Sequence, residues 1–160
     1  MQLAANAGAR VFATVGSAEK AALVRELGAH DAILYRETDF VQAVLDLTDG
    51  EGVDVVMDNV GGETLEKSAG ATRCYGDLVT LLKAGPDVDL SLARMRNLRL
   101  GFEMVLTPLV FSLHDEQVRQ RRILEQAREM FDTGKLRVIV SHALPLEQAA
   151  KAHRMIEAGG

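Results

Sequence analysis

One cysteine, no tryptophan and only three prolines occur in 160 residues, and each shortage excludes something. With Cys74 alone, the chain can build neither an internal disulfide nor a multi-cysteine zinc site, and this usage suits a reducing, cytoplasmic setting. No run of Lys or Arg exceeds Arg121-Arg122 and the formal net charge is -5. The basic face needed to grip phosphate backbones is therefore missing, and nucleic acid is not an expected partner. There is neither a signal peptide nor an apolar run of the ~18 residues that span a bilayer, so no membrane partner is expected. Four histidines (His30, His114, His142, His153) stand apart, none with a carboxylate or cysteine at ligand spacing, and no metal site is expected among these residues. What the chain has in plenty is apolar residues, 48% of the total, enough for one domain with a real core.

Those apolar residues fall into short β-branched runs alternating with helical spacing. Val11–Val15 reads as a buried strand. Ser17 then caps a helix whose apolar residues Ala21, Leu23, Val24 and Leu27 end at Gly28. Ala32–Tyr35 is a second strand, and Phe40, Val41, Val44 and Leu45 form a helix that stops near Gly50. Val53–Asp58 is a third strand, Leu78–Leu82 a fourth and Leu98–Val105 a fifth. A long amphipathic helix over Asp115–Phe131 is expected to turn Ile123, Leu124, Ala127 and Phe131 inward and to stop at Gly134. Arg137–Val140 should return as a strand before a last helix begins at Pro145. Strands separated by helices of ten or so residues imply right-handed βαβ units and an α/β, doubly wound, parallel-sheet fold of Rossmann type.

Val53-Asp54-Val55-Val56-Met57-Asp58-Asn59-Val60-Gly61-Gly62 carries the most functional information: a strand running into a turn with two glycines. In open parallel sheets ligands lie beyond the carboxyl ends of the strands, and glycines there let a phosphate or ribose approach the backbone. A nucleotide is the leading candidate, and a plain tight turn into a helix at Glu63 is the bland alternative. Asp54 and Asp58 point to the same side of the strand, and Asp58 reads as a structural acceptor at its end rather than a general base. At the end of the Val11–Val15 strand, a site for NAD would place an acid on the ribose hydroxyls. Gly16 and Ser17 stand there instead, with Lys20 one turn into the helix, a hydroxyl, helix-start N–H groups and a cation that suit phosphate.

Gly8-Ala9-Arg10-Val11-Phe12-Ala13-Thr14-Val15-Gly16-Ser17-Ala18-Glu19-Lys20, Leu27-Gly28-Ala29, Asp58-Asn59-Val60-Gly61-Gly62 and Leu144-Pro145-Leu146-Glu147-Gln148-Ala149-Ala150-Lys151-Ala152-His153-Arg154 together resemble the medium-chain dehydrogenase/reductases, closest to the quinone oxidoreductase branch. Four motifs in the right order span nearly the whole chain. The resemblance implies an NAD(P)H-dependent oxidoreductase acting on a small-molecule quinone, enone, carbonyl or alcohol. It places Gly16, Lys20 and Tyr35 at the NADPH 2′-phosphate, with Asn59 on the far side beside Val60 and Gly61. NADPH is thus expected over NADH, with Gly16, Ser17, Lys20, Tyr35, Asn59, Val60 and Gly61 as cofactor-binding residues. A homodimer through the strand near Leu98–Val105 is implied as well.

Departures from the family pattern shape the remaining expectations. The family's central strand and glycine-rich phosphate loop precede the helix that Gln2–Ala7 would finish, so the fold is expected to lack its first strand and that loop. Residues 1–135 read as a partial nucleotide-binding domain and 136–160 as the start of a return to a catalytic domain. No catalytic residue is expected here, any zinc ligands of a longer protein would lie elsewhere, and the chain alone should be inactive. Leu82 stands where the family commonly has glycine. The strands at Val11 and Val53 should flank the missing strand, and an open slot would bury unpaired backbone groups at about 1–3 kcal/mol each. Direct closure of the two strands, a strand supplied from elsewhere, or an excerpt of a larger protein would resolve this. Two rivals have other chemistry: an S-adenosylmethionine-dependent methyltransferase, which needs a glycine-rich first loop, and a non-catalytic module that binds a nucleotide only to regulate assembly.

Overall fold

The alternation of strand-like and helical segments is realised in order. In the computed structural model, which describes residues 1–158, the elements are α1 (Gln2–Asn6), β1 (Phe12–Val15), α2 (Ala18–Glu26), β2 (Asp31–Leu34), α3 (Phe40–Leu47), β3 (Val53–Asp58), α4 (Glu63–Ala71), β4 (Thr72–Thr80), α5 (Ser91–Met95), β5 (Arg99–Phe102), α6 (Thr107–Val110), α7 (His114–Asp132), a short 3-10 turn (Leu146–Gln148) and α8 (Ala149–Glu157). Local chemistry sets the helix starts. Ser17 Oγ accepts from the Lys20 N–H at 3.2 Å and Asp39 Oδ1 from the Val41 N–H at 2.9 Å, each satisfying a donor left over in a first turn.

Every strand pairing is parallel, as in βαβ units, but the strands form two sheets, β1-β2 and β3-β4-β5. Neither closure of the slot occurs among the described residues: β1 pairs only with β2, β3 only with β4, and no strand lies between them. The expected penalty presumed a buried slot. On β3, however, Val55 is 58% and Met57 60% exposed, so this strand lies open to water rather than sealed in an interior. The sheets share a core instead. Phe12 of β1, Ile33 of β2 and Val53 of β3 pack with Val41, Val44 and Leu47 of α3 and with Ala71. A second core, Leu65, Ala69, Leu78 and Ala93 with Val56 and Leu100, fixes α4 and α5 against the three-stranded sheet.

The second half of the chain corrects three expectations. Arg137–Val140 is not a strand. The backbone of Arg137 is taken by a side chain, its N–H donating to Gln2 Oε1 and its carbonyl accepting from Gln2 Nε2, both at 3.0 Å. Val138 and Val140 are 68% and 72% exposed, without a neighbouring strand to pair with. The expected inward face of α7 does not form either: no residue of α7 is buried, and Ile123, Leu124 and Phe131 lie exposed. The amphipathic pattern reports a face able to be covered; it cannot supply the cover. The fifth strand is confined to Arg99–Phe102.

The fourth strand is longer than expected because it contains a bulge: Val53 pairs with Thr72, yet Val55 pairs with Asp77. Tyr75 sits in this bulge at φ 62° and is 64% exposed. A left-handed backbone costs a side-chain-bearing residue about 1–2 kcal/mol, and so exposed a ring returns little packing. Tyr75→Gly is therefore expected to raise stability by about 1 kcal/mol in urea unfolding. A loss of stability would mean the ring contributes more than the strain costs.

Candidate functional site

The two ends of the fold that could meet a ligand are the carboxyl edges of the two sheets. On the first sheet, β1 leaves Val15 through Gly16 and Ser17 into α2. The Tyr35 N–H donates to the Val15 carbonyl at 3.2 Å, extending the parallel pairing beyond β2 and setting Tyr35 beside Gly16. A Cβ placed on Gly16 would lie 3.0 Å from Tyr35 Oη, 3.4 Å from its Cζ and 3.5 Å from Arg36 Nε. Gly16 is not in the left-handed region, and a side chain here would press on the end of the Tyr35 side chain, which would give by a few tenths of an ångström. Ser17 caps α2, its side chain accepting from the Lys20 N–H. Lys20 is exposed one turn farther on. No acidic residue occupies Gly16 or Ser17, where an NAD site would put one.

On the second sheet, β3 ends in Asp58, which is 3% exposed. Its carboxylate accepts from the Val60 N–H at 3.1 Å, from the Gly61 N–H at 3.0 Å on both oxygens, and from Thr80 Oγ1 at 2.8 Å. Thr80 Oγ1 in turn accepts from the Leu82 N–H at 3.1 Å. Asp58 is thus the structural acceptor expected of it, tying the ends of β3 and β4 together. Gly61 takes φ 76° and Gly62 φ 56°, a bend few other residues adopt. A Cβ on Gly61 would meet Leu82 Cβ at 3.1 Å, so the Leu82 side chain covers this corner. Asn59 and Val60 stand exposed on the turn. In the first turn of α4, the Lys67 ammonium, 2.6 Å away, hydrogen-bonds the Glu63 carboxylate and holds it below the usual carboxylate range.

The residues expected to hold a cofactor thus fall into two groups. Gly16, Ser17, Lys20 and Tyr35 gather around the end of β1, and Asn59, Val60 and Gly61 form the turn after β3. Arg36 was passed over in the sequence. An arginine next to a strand-end tyrosine was its only signal, and its approach to Gly16 appears only in three dimensions. Among the described residues no three His, Cys, Asp or Glu side chains come together to hold a metal, and no helix is long and apolar enough to cross a membrane.

Comparison with known proteins gives this geometry a context. A family model described as zinc-binding dehydrogenase matches residues 27–160. The chain is 31% identical over 152 residues to a phenolphthiocerol/phthiocerol polyketide synthase of Mycobacterium tuberculosis, covering 95% of this chain and 7% of that protein. It is 33% identical over 150 residues to a 2-haloacrylate reductase of a Burkholderia species, covering 92% of this chain and 44% of the relative. The crystal structure of Escherichia coli quinone oxidoreductase complexed with NADPH superimposes with a TM-score of 0.80 at 27% identity, over 98% of this chain and 48% of that one. The chain therefore spans less than half the length of each of these proteins.

Proposed function

The chain belongs to the zinc-binding dehydrogenase family of medium-chain dehydrogenase/reductases, and on that premise we propose that it holds the adenosine half of NADPH in a reductase of quinones or related conjugated acceptors. The observation that carries the cofactor choice is the end of β1. There a glycine stands in place of the ribose-binding acid, the Tyr35 hydroxyl lies against it, Ser17 caps the helix that follows and Lys20 is one turn into that helix. This set suits a dianionic 2′-phosphate and offers no carboxylate to a free 2′-hydroxyl. Asn59, Val60 and Gly61 are the residues on the other sheet that the remainder of the dinucleotide would meet. When bound, the nicotinamide supplies a hydride to the acceptor; the residues here bind and orient it. Zinc, named in the family's description, finds no donor set among the described residues, and no step is assigned to it.

The relatives support a conjugated acceptor as substrate, since one is a quinone oxidoreductase and another a 2-haloacrylate reductase. β5 is the outer strand of its sheet and leads into the exposed Phe102, Met104 and Val105, which supports a homodimer through this edge. The lone cysteine supports a cytoplasmic setting.

The test is a binding ratio in the whole gene product. NADPH is expected to bind more tightly than NADH, and Lys20→Ala to remove mainly that advantage. A charge-assisted contact to phosphate is worth about 1.5–3 kcal/mol, roughly tenfold to a hundredfold in affinity. Equal affinity of the native protein for the two cofactors would sink the reading, and an unchanged ratio in Lys20→Ala would remove Lys20 from the site.

A further inference from the structure

We infer that the outer edge of β2, with the acidic groove between it and α3, docks an extended basic segment of a partner protein by strand addition. The inference is independent of the cofactor reading, since the groove lies on the side of β2 away from β1.

β2 is paired on one side only, with β1. Asp31 and Tyr35 donate their N–H groups to the Val11 and Val15 carbonyls, at 3.4 and 3.2 Å. Along a parallel strand, alternate residues turn their N–H and C=O to opposite sides, so those of Ala32 and Leu34 face outward. The Leu34 carbonyl is taken by the Glu37 and Thr38 N–H groups, both at 3.0 Å. The Ala32 N–H and C=O and the Leu34 N–H are left as an open row, the feature to which an extended peptide adds. Beside this row runs a groove of about 380 Å³ with no β1 residue in its walls. β2 forms one wall and α3, through Ala43, Asp46 and Leu47, the other; Glu37 lines the turn that joins them. Ala43 and Leu47 are half-buried and give an apolar side chain of the added strand a surface to lie against.

Charge selects the occupant. From Glu37 to Glu51 the chain holds five Asp and Glu and no Lys or Arg. Asp39 is spent on the cap of α3, but Glu37 and Asp46 are exposed, and Asp46 accepts from the neutral Gln42 amide at 2.8 Å. Arg10, which reaches the end of α3, is taken by the Leu47 carbonyl at 3.0 Å and the Asp31 carboxylate at 3.4 Å. The groove thus keeps two carboxylates that a basic partner would neutralise. Their placement gives the pattern. Glu37 follows the carboxyl end of β2, while α3 runs back and sets Asp46, next to Leu47, toward the amino end where Arg10 stands. Every second side chain of an extended strand shares a face, so an apolar residue flanked two positions away on each side by Lys or Arg fits both the apolar wall and the two acids.

The probe is the peptide acetyl-Lys-Thr-Val-Thr-Lys-amide, compared with its counterpart in which both lysines are glutamate. Labelled peptides are titrated by fluorescence anisotropy into the whole gene product, Ala32→Pro, and the double variant Glu37→Gln with Asp46→Asn, with thermal unfolding as the check on folding. The lysine peptide is expected to bind and the glutamate peptide not. Ala32→Pro removes an outward N–H and leaves the pairing with β1 intact; it should weaken the lysine peptide about fivefold. The double variant should also lose about fivefold and flatten the salt dependence. If Ala32→Pro does not fold, N-methylation of the peptide asks the same question. Of its two alternately methylated forms, one should bind as the parent does and the other about fivefold more weakly, since only alternate amides face the edge. No binding of the lysine peptide, equal binding of both peptides, or binding that survives Ala32→Pro and both methylations overturns the proposal. Displacement by an equal concentration of spermidine also overturns it, because charge alone would then hold the peptide. A dimer that forms without peptide and is lost in Ala32→Pro gives the edge to a second copy of the chain and overturns the assignment to a partner.

Discussion

Asp58→Ala is expected to destabilise the fold by about 3–5 kcal/mol, because it strips one buried acceptor from several donors at once and each donor left unmet costs about 1–3 kcal/mol. The Val60 and Gly61 amides and the Thr80 hydroxyl all point at this carboxylate, and at 3% exposure water is poorly placed to replace it. Against a typical total of about 5–15 kcal/mol the loss is large. Asp58→Asn keeps one oxygen but turns an amide N–H₂ toward donors, so it should cost less than alanine and still more than about 1 kcal/mol. Thr80→Val should reproduce part of the loss, because Thr80 shares the same knot. Urea unfolding measures all three. A cost below about 1 kcal/mol for Asp58→Ala would show that the turn holds itself through its glycines. A normal stability joined to a loss of turnover would return Asp58 to the chemistry.

The role of Asp58 was legible in the sequence because it is local: a strand-end aspartate followed by a Gly-Gly turn faces N–H groups two and three residues on, whatever surrounds it. The same locality made the Ser17 cap, the β1–α2 and β3–α4 units and the glycine turn readable. What escaped the sequence depends on partners. The apolar run at Val138–Val140 has strand propensity, but a strand needs a neighbour, and the Gln2 side chain takes the backbone of Arg137 first. Ile123, Leu124 and Phe131 have helical spacing, which specifies a face and not what lies against it. The bulge that lengthens β4 depends on a left-handed tyrosine, a conformation the sequence does not advertise. Arg36 shows the same limit at the site. Its charge was visible, but its approach to Gly16 comes from the register Val15 to Leu34, a pairing between residues 19 positions apart.

That register makes Gly16→Asp the most severe change available to the site. Position 16 is where the NAD-binding pattern would put an acid, and the Gly16 backbone is not left-handed, so a side chain strains nothing locally. It does meet its neighbours: the new Cβ falls 3.0 Å from Tyr35 Oη, so the end of the Tyr35 side chain has to give by a few tenths of an ångström. The new carboxylate then stands where the 2′-phosphate would stand, like charge against like. A lost hydrogen bond to a charged group plus this repulsion should exceed about 3 kcal/mol, a loss of more than roughly a hundredfold in NADPH affinity. NADH should gain little, because Arg36 Nε lies 3.5 Å from the new Cβ and will pair with the carboxylate before a ribose hydroxyl can. Adding Arg36→Gln should free that carboxylate and raise NADH affinity above that of the single variant. Titration of both cofactors into the native gene product and the two variants decides it. NADPH binding that survives Gly16→Asp within about tenfold would place the 2′-phosphate away from the end of β1, and with it the whole assignment of cofactor preference to this edge.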